Sequence, residues 1–284
     1  AGCAAFSDDG HCVMNDDVLR RALQLCKKAR APLIEHAEDE TLSHGGSLNE
    51  GKTASELGCL GIPRESETIM VARDILLAQE TNSPIHCAHV STHESVELIR
   101  AAKKMGIPVT AETCPHYFTL TEESVKQHGT HAKMKPPLRT HEDRLAVIRG
   151  LSDNTIDIIA TDHAPHSARL KRKKFHRAPF GIIGLETLFA LSYNELVLKK
   201  SLTLKQLISK LTIAPARIFA LNAGTLRPGH PADIALFNPT YTWTLHDKDL
   251  SSHSRNTPFI GRKFKGRVVA TFVNGRTAFK IDTV

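Results

Sequence analysis

No apolar run in this 284-residue chain approaches the ~20 consecutive residues that a membrane-spanning helix needs. The residues from Ala1 to Gly10 also lack the charged start and apolar centre of a secretory signal, so a cytoplasmic location and no membrane partner are expected. The six cysteines, Cys3, Cys12, Cys26, Cys59, Cys87 and Cys114, include no CxxC pair. That spacing argues against a zinc ribbon and a disulfide framework and leaves reduced, mostly buried thiols. The formal charge of +7 is carried by Lys and Arg interleaved with Asp and Glu along most helical stretches, as on any solvated face. One dense basic run stands out, Lys171, Arg172, Lys173 and Lys174, but no aromatic platform or recognised module accompanies it. Nucleic acid is therefore not an expected partner, and a basic loop near an anionic substrate is the better reading.

What is present is enough apolar material, 41%, for one large domain and a small appendage. Through the first two thirds, short β-type runs alternate with helical patterns, which predicts βα units around a parallel sheet. Asn15 caps a helix with Asp16 and Asp17 in its first turn, Lys27 and Lys28 in its last, and Val18, Ala22 and Leu25 as its apolar positions. A second helix is expected from Pro63 with Ile69, Ala72 and Leu76 buried, and a third from a Ser91/Glu94 capping box with Val96, Ile99 and Ala102 on one face, ended by Gly106. Another begins near Thr140, with Asp143 three residues on. Strands are expected at 83–90, 108–113 and 155–161, besides those ending near Asp9 and His36. Helices at 185–198 and 204–220 follow. After Gly224 come β runs at 232–237, 242–245, 267–272 and 277–280, the last two joined by Asn274 and Gly275, a type I′ hairpin signal. Two units result: residues 1–223, part of an α/β barrel, and residues 224–284, part of a small β domain.

Four strand ends carry side chains that hold metals: Asp9, His36, His89 and Asp162. In a parallel barrel all strands open onto one mouth, so ligands distant in sequence meet there. A water-activating metal site needs such imidazole and carboxylate ligands with one position left open. A closed barrel has eight βα units, whereas five strands are visible. The expectation is that strands one to three lie outside this chain.

Six segments, in order, carry a resemblance: Phe6 to Gly10 (FSDDG), Glu35 to Asp39 (EHAED), His86 to Thr92 (HCAHVST), Lys135 to Arg139 (KPPLR), Thr161 to His166 (TDHAPH) and Pro179 to Thr187 (PFGIIGLET). Together with Gly224 to Ile234 and Asn256 to Gly261 in the tail, they resemble the bacterial, aspartate-bridged dihydroorotases of the amidohydrolase superfamily, over the full chain. The resemblance implies a (β/α)8 metal-dependent hydrolase barrel with two Zn2+ ions, closing N-carbamoyl-L-aspartate reversibly to L-dihydroorotate in pyrimidine synthesis. It makes Asp9 the bridging ligand in preference to Asp8, gives His36 and His89 to the second ion, and makes Asp162 both a ligand and the proton carrier between attacking hydroxide and leaving nitrogen. If the visible strands are four to eight, these ligands fall on the family's places. Its His-x-His pair, with an Arg and an Asn, would then lie outside the chain. Taken alone, the chain would therefore be inactive.

The resemblance also implies substrate contacts from the His166 side chain and from the backbone of Phe180 and Gly181, where glycine permits close approach. Lys135 stands where the family commonly has Asn; an ammonium can meet a substrate carboxylate but cannot accept a hydrogen bond. His86, His93 and His116 are expected to be supporting groups. A homodimer or aspartate transcarbamoylase is a possible partner. Two other readings compete. A hydantoinase or allantoinase would bridge its metals with a carboxylated Lys where this chain has Asp9. A non-catalytic homologue serving aspartate transcarbamoylase would have lost ligands that this chain keeps.

Overall fold

Residues 2–281 are described in a computed structural model. In chain order the strands are β1 (Phe6–Ser7), β2 (Leu33–Glu35), β3 (Leu48–Asn49), β4 (Gly61–Ile62), β5 (Ile85–Cys87), β6 (Val109–Thr113), β7 (Ile158–Ile159), β8 (Ile234–Thr244), β9 (Lys263–Val273) and β10 (Arg276–Lys280). Five form one parallel sheet in the order β1-β2-β5-β6-β7, the five strands expected from the sequence. Helices between them pack on the outer face, as parallel crossovers require. The result is an arc of an α/β barrel. The parallel pair β3-β4 is an addition that the sequence reading did not contain. Among the described residues no helix is long and apolar enough to cross a membrane.

The helix Asp16–Ala29 begins as expected, with the Asn15 side chain accepting from Val18 N at 3.0 Å. Its buried face is Leu19, Leu23 and Cys26, one position on from the expected stripe; Val18 and Leu25 are 55% and 61% exposed. Two adjacent stripes of this helix are apolar, and spacing alone does not say which faces inward. The same error recurs in the helix Glu65–Thr81, which starts two residues after Pro63 and exposes Ile69 and Leu76 by 51% and 64%. Here the cause is chemical. The inner face carries Glu67 and Asp74 among Met70, Val71, Ile75, Leu77 and Ala78, and those carboxylates interrupt the apolar period.

Glu67 also relocates the next cap. Thr92, not Ser91, caps the helix His93–Lys104, accepting from Ser95 N at 3.3 Å, while Ser91 donates its N–H and hydroxyl to Glu67. Val96, Ile99 and Ala102 are buried as expected. The capping box of Thr140 and Asp143 on the helix His141–Ser152 is also as expected. The expected 204–220 helix breaks at Thr212 into Leu204–Leu211 and Ile213–Ile218. Pro215 supplies no N–H there, and its ring would meet the Leu211 carbonyl in a continuous helix. The expected 185–198 helix begins only at Leu188 and widens into a π turn over Tyr193–Val197.

In the tail, β8 and β9 pair antiparallel, and β9 continues into β10. The expected runs at 232–237 and 242–245 are one strand, β8, its register shifting between Asn238 and Thr242. Asn274 and Gly275 have φ of 49° and 75°, as a type I′ turn demands. The tail docks on the π turn: Tyr193 and Phe237 have ring centroids 5.0 Å apart, and the Asn194 side chain bonds both backbone groups of Lys265.

Candidate active site

Because the sheet is parallel, the residues that follow its strands gather on one side. Asp9, His36, His89 and Asp162 line a single cavity of about 330 Å³, together with Glu112, Lys135, Phe180 and Gly181. Asp9, His89 and Asp162 adopt φ of 26°, 34° and 44°, a region that non-glycine residues rarely enter. Such strain costs on the order of 1–3 kcal/mol per residue and concentrates where side chains are aimed for function. Three strand ends that turn in this way point three ligand-type groups at the same space.

His36 and His89 are buried and meet ring to ring, with Nδ1 of His36 2.6 Å from Nε2 of His89. On its far side, His36 Nε2 lies 3.0 Å from Glu38 Oε2. That carboxylate fixes the tautomer: Nε2 carries the proton and donates it, leaving the Nδ1 lone pair turned into the cavity. Burial opposes the charge of Glu38, but hydrogen bonds from His36 and Lys135 outweigh it and hold the carboxylate at about 2. Burial and the neighbouring His36 and His116 keep His89 well below the ordinary imidazole range, hence neutral. Its Nδ1 is buried with no hydrogen-bond partner among the described residues. Two imidazoles and two carboxyl groups form a donor set suited to a divalent ion such as zinc, which holds nitrogen ligands at ~2.0–2.1 Å.

Burial pushes Asp162 up to about 6, against the pull of His36, with Glu112 and Asp9 adding to the rise. Asp8 does not line the cavity. Its Oδ1 accepts from His36 N at 2.8 Å and so ties the end of β1 to the end of β2. Lys135 reaches the cavity with its ammonium 2.7 Å from Glu38 Oε1. His166 lies behind the wall, with Nε2 2.7 Å from the Phe180 carbonyl oxygen. Gly181 N donates to Lys133 O at 2.9 Å. Its glycine is required by a φ of 108° and by Ala164, whose Cβ would lie 2.4 Å from a Cβ added at 181.

His86 supports Glu112 from inside the sheet, Nε2 to Oε2 at 3.2 Å, and His116 meets the Tyr117 ring edge to face. His93 sits on the surface beside Glu97. Glu38, Glu112 and Asn256 escaped sequence reasoning. Glu38 had a local signal, two residues after His36; Asn256 comes from the tail and accepts from His166 N through its Oδ1. The basic run was misread in part, since Lys171 is buried while Arg172, Lys173 and Lys174 are exposed.

A second group, Asp8, Cys12 and Glu35, brings three ligand-type atoms within 4.8 Å of one another. It faces the helix layer. Arg73 lies against it, 3.8 Å from Glu35 and 2.7 Å from Asp74, and burial raises Glu35 to about 9 and the Cys12 thiol to about 12. A protonated carboxyl, a protonated thiol and a guanidinium describe a structural cluster better than a metal site.

Sequence comparison gives this geometry its context. Dihydroorotases of Endomicrobium trichonymphae and Pelobacter propionicus are each 50% identical to the chain over 282 and 280 residues, 99% of it in both cases. The chain spans about two thirds of their length, 67% and 66%. Among solved structures, the L-hydantoinase of Arthrobacter aurescens superposes with a TM-score of 0.86 at 26% identity, over 99% of this chain and 64% of that one. The resemblance read from the six motifs and the barrel-type fold are both borne out. The amidohydrolase family model matches residues 3–278, and the chain belongs to that family.

Proposed function

We propose that this chain carries the larger part of the active site of a zinc-dependent, cytoplasmic dihydroorotase, which interconverts N-carbamoyl-L-aspartate and L-dihydroorotate. The observation that carries the reading is the convergence of Asp9, His36, His89 and Asp162 on one cavity. The 50% identity to dihydroorotases supports that substrate over a hydantoin. In this reading the chain divides near residue 224 into its barrel part and its β unit, and the whole protein pairs with itself or with aspartate transcarbamoylase.

Asp9, His36, His89 and Asp162 would hold two zinc ions, His36 and His89 one of them and Asp162 the other, with Asp9 shared between the two. Bound zinc supplies a Lewis acid and an activated water. Asp162 takes the proton released on attack at the ring amide and returns it to the leaving nitrogen; a carboxylate that burial has made more basic suits that exchange. Glu38 keeps the His36 lone pair aimed inward. Lys135 and the Phe180–Gly181 wall bound the substrate, and His166 acts on it through the Phe180 carbonyl.

The test is zinc content and turnover of the intact protein. Wild type is expected to hold two zinc ions per chain and to turn over dihydroorotate. Asp162→Asn should lower kcat by ~10²–10⁴-fold in a folded protein, and His36→Ala or His89→Ala should lower the zinc content. Faster turnover of hydantoin than of dihydroorotate would replace this reading with a hydantoinase. Turnover of neither would replace it with a non-catalytic homologue.

A further inference from the structure

The buried Arg139 and the part-buried Arg73 face carboxylates, Glu67 in one case and Asp74 in the other. Lys133 and Lys171 are each 2% exposed, and among the described residues no carboxylate lies against them. Their ammonium groups are satisfied by backbone carbonyls instead. Lys133 Nζ donates to Phe175 O and Ala178 O, both at 2.8 Å, and to His176 O at 3.4 Å. Lys171 Nζ donates to Pro179 O and Gly181 O, both at 3.0 Å, and to Lys133 O at 3.5 Å. Five of these six acceptors belong to one segment, residues 175–181. Lys133 also lies 4.3 Å from the centroid of the Phe180 ring, and its own carbonyl accepts the Gly181 N–H.

Removing an ammonium from water is costly even after relaxation, and burial lowers both groups to about 8. An apolar side chain would fill the same space without that cost. What it would not do is hold five peptide carbonyls of a segment that has only a short 3-10 turn, Phe175–Arg177, of its own. This segment ends in the Phe180–Gly181 wall of the cavity.

We propose that Lys133 and Lys171 are positioning residues, which pin residues 175–181 through backbone carbonyls and so preset the cavity wall for substrate. The inference rests on the reading of the cavity as a substrate site. Neither lysine touches the reacting atoms; each acts through the loop. Pinned in this way, the wall needs no ordering when substrate arrives, so loss of a pin weakens binding more than it slows chemistry.

The experiment is Lys171→Met in the intact, zinc-loaded protein, with Lys171→Gln as the milder variant that keeps a donor. Hydrogen exchange followed by mass spectrometry is expected to show residues 175–183 exchanging at least ~10-fold faster in Lys171→Met, while segments covering 85–90 and 156–162 keep their wild-type rates. KM for L-dihydroorotate should rise ~10-fold or more with kcat within ~3-fold and zinc content unchanged, and Lys171→Gln should fall between the two proteins. Unchanged exchange at 175–183 would overturn the pin. Faster exchange with an unchanged KM would overturn its role in positioning substrate while leaving the dihydroorotase reading intact. If wild type turns over no dihydroorotate, that reading fails by itself and the exchange data still judge the pin. Failure of both variants to fold would assign the lysines to folding and overturn the proposal.

Discussion

Strands of the parallel sheet are two to five residues long, whereas β8 and β9 run for 11 residues each. Around the short strands the chain buries ionisable groups: Glu35, Glu67, Asp74, Arg139 and Asp143 are all at most 3% exposed. Arg139 alone bonds Asn49, Ile62 and Ser91 from three separate segments. In the antiparallel sheet, by contrast, every residue of β10 is exposed, and a two-residue turn sets its pairing. Register in the tail is a local matter, while the mouth of the barrel arc is held by contacts between residues far apart in sequence. The strained backbone at Asp9, His89 and Asp162 lies in the networked region, where surrounding bonds can hold such conformations.

Breaking the network should have the largest effect. Arg139→Met leaves Glu67 buried without its cation and is expected to destabilise the fold by ~3–5 kcal/mol, read by urea unfolding. A loss below 1 kcal/mol would mean that the network contributes little to the arc.

Two neighbours on one helix sharpen the question of which face is inside. Leu77 is 6% exposed and Leu76 64%. Leu77→Ala should cost ~2–5 kcal/mol and Leu76→Ala stay within ~0.5 kcal/mol. Equal costs in thermal unfolding would return the helix to the orientation expected from its apolar spacing.

In the tail, Gly275→Ala places a Cβ at a φ of 75° in open space, with no atom nearer than 3.9 Å. The cost is then backbone strain alone, ~1–2 kcal/mol, and the exchange protection of β10 should fall while that of β5 and β6 does not. Loss of protection in the parallel sheet would show that the two regions are not independent.

The smallest effect is a slope with pH. Burial holds Lys210 at about 8, facing Asp157, Asp153 and Lys103. The folded chain therefore gives up this proton near pH 8, while the unfolded chain keeps it to ~10.4. Between those values the unfolded state binds more protons, so stability rises with pH, and Lys133 and Lys171 add to the same slope. Lys210→Met should lower the slope of unfolding free energy between pH 8 and 10; an unchanged slope would remove Lys210 from it.

The same contrast explains what was legible in advance. Caps and turns whose groups bond within a few residues were readable: Asn15, the Thr140/Asp143 box and the Asn274/Gly275 turn all sit as expected. Elements whose polar groups bond across the fold were misread. Glu67 took Ser91 out of its expected cap, and with Asp74 it put carboxylates on the face that spacing assigned to solvent. Lys171 reads from the sequence as one member of a basic loop near an anionic substrate, because its carbonyl partners lie in a loop that the sequence leaves without a pattern.

The sequence by itself determined the alternation of strands and helices, the hairpin of the tail, and the chemical identity of the residues at the strand ends, because periodicity, capping and ligand type are properties of neighbouring residues. Only the tertiary structure decided that Glu38 turns the His36 lone pair toward the cavity, that the backbone bends into positive φ at Asp9, His89 and Asp162, and that Lys133 and Lys171 are buried against backbone carbonyls. Each of those outcomes depends on the electrostatic field and packing of segments that meet only once the chain has folded.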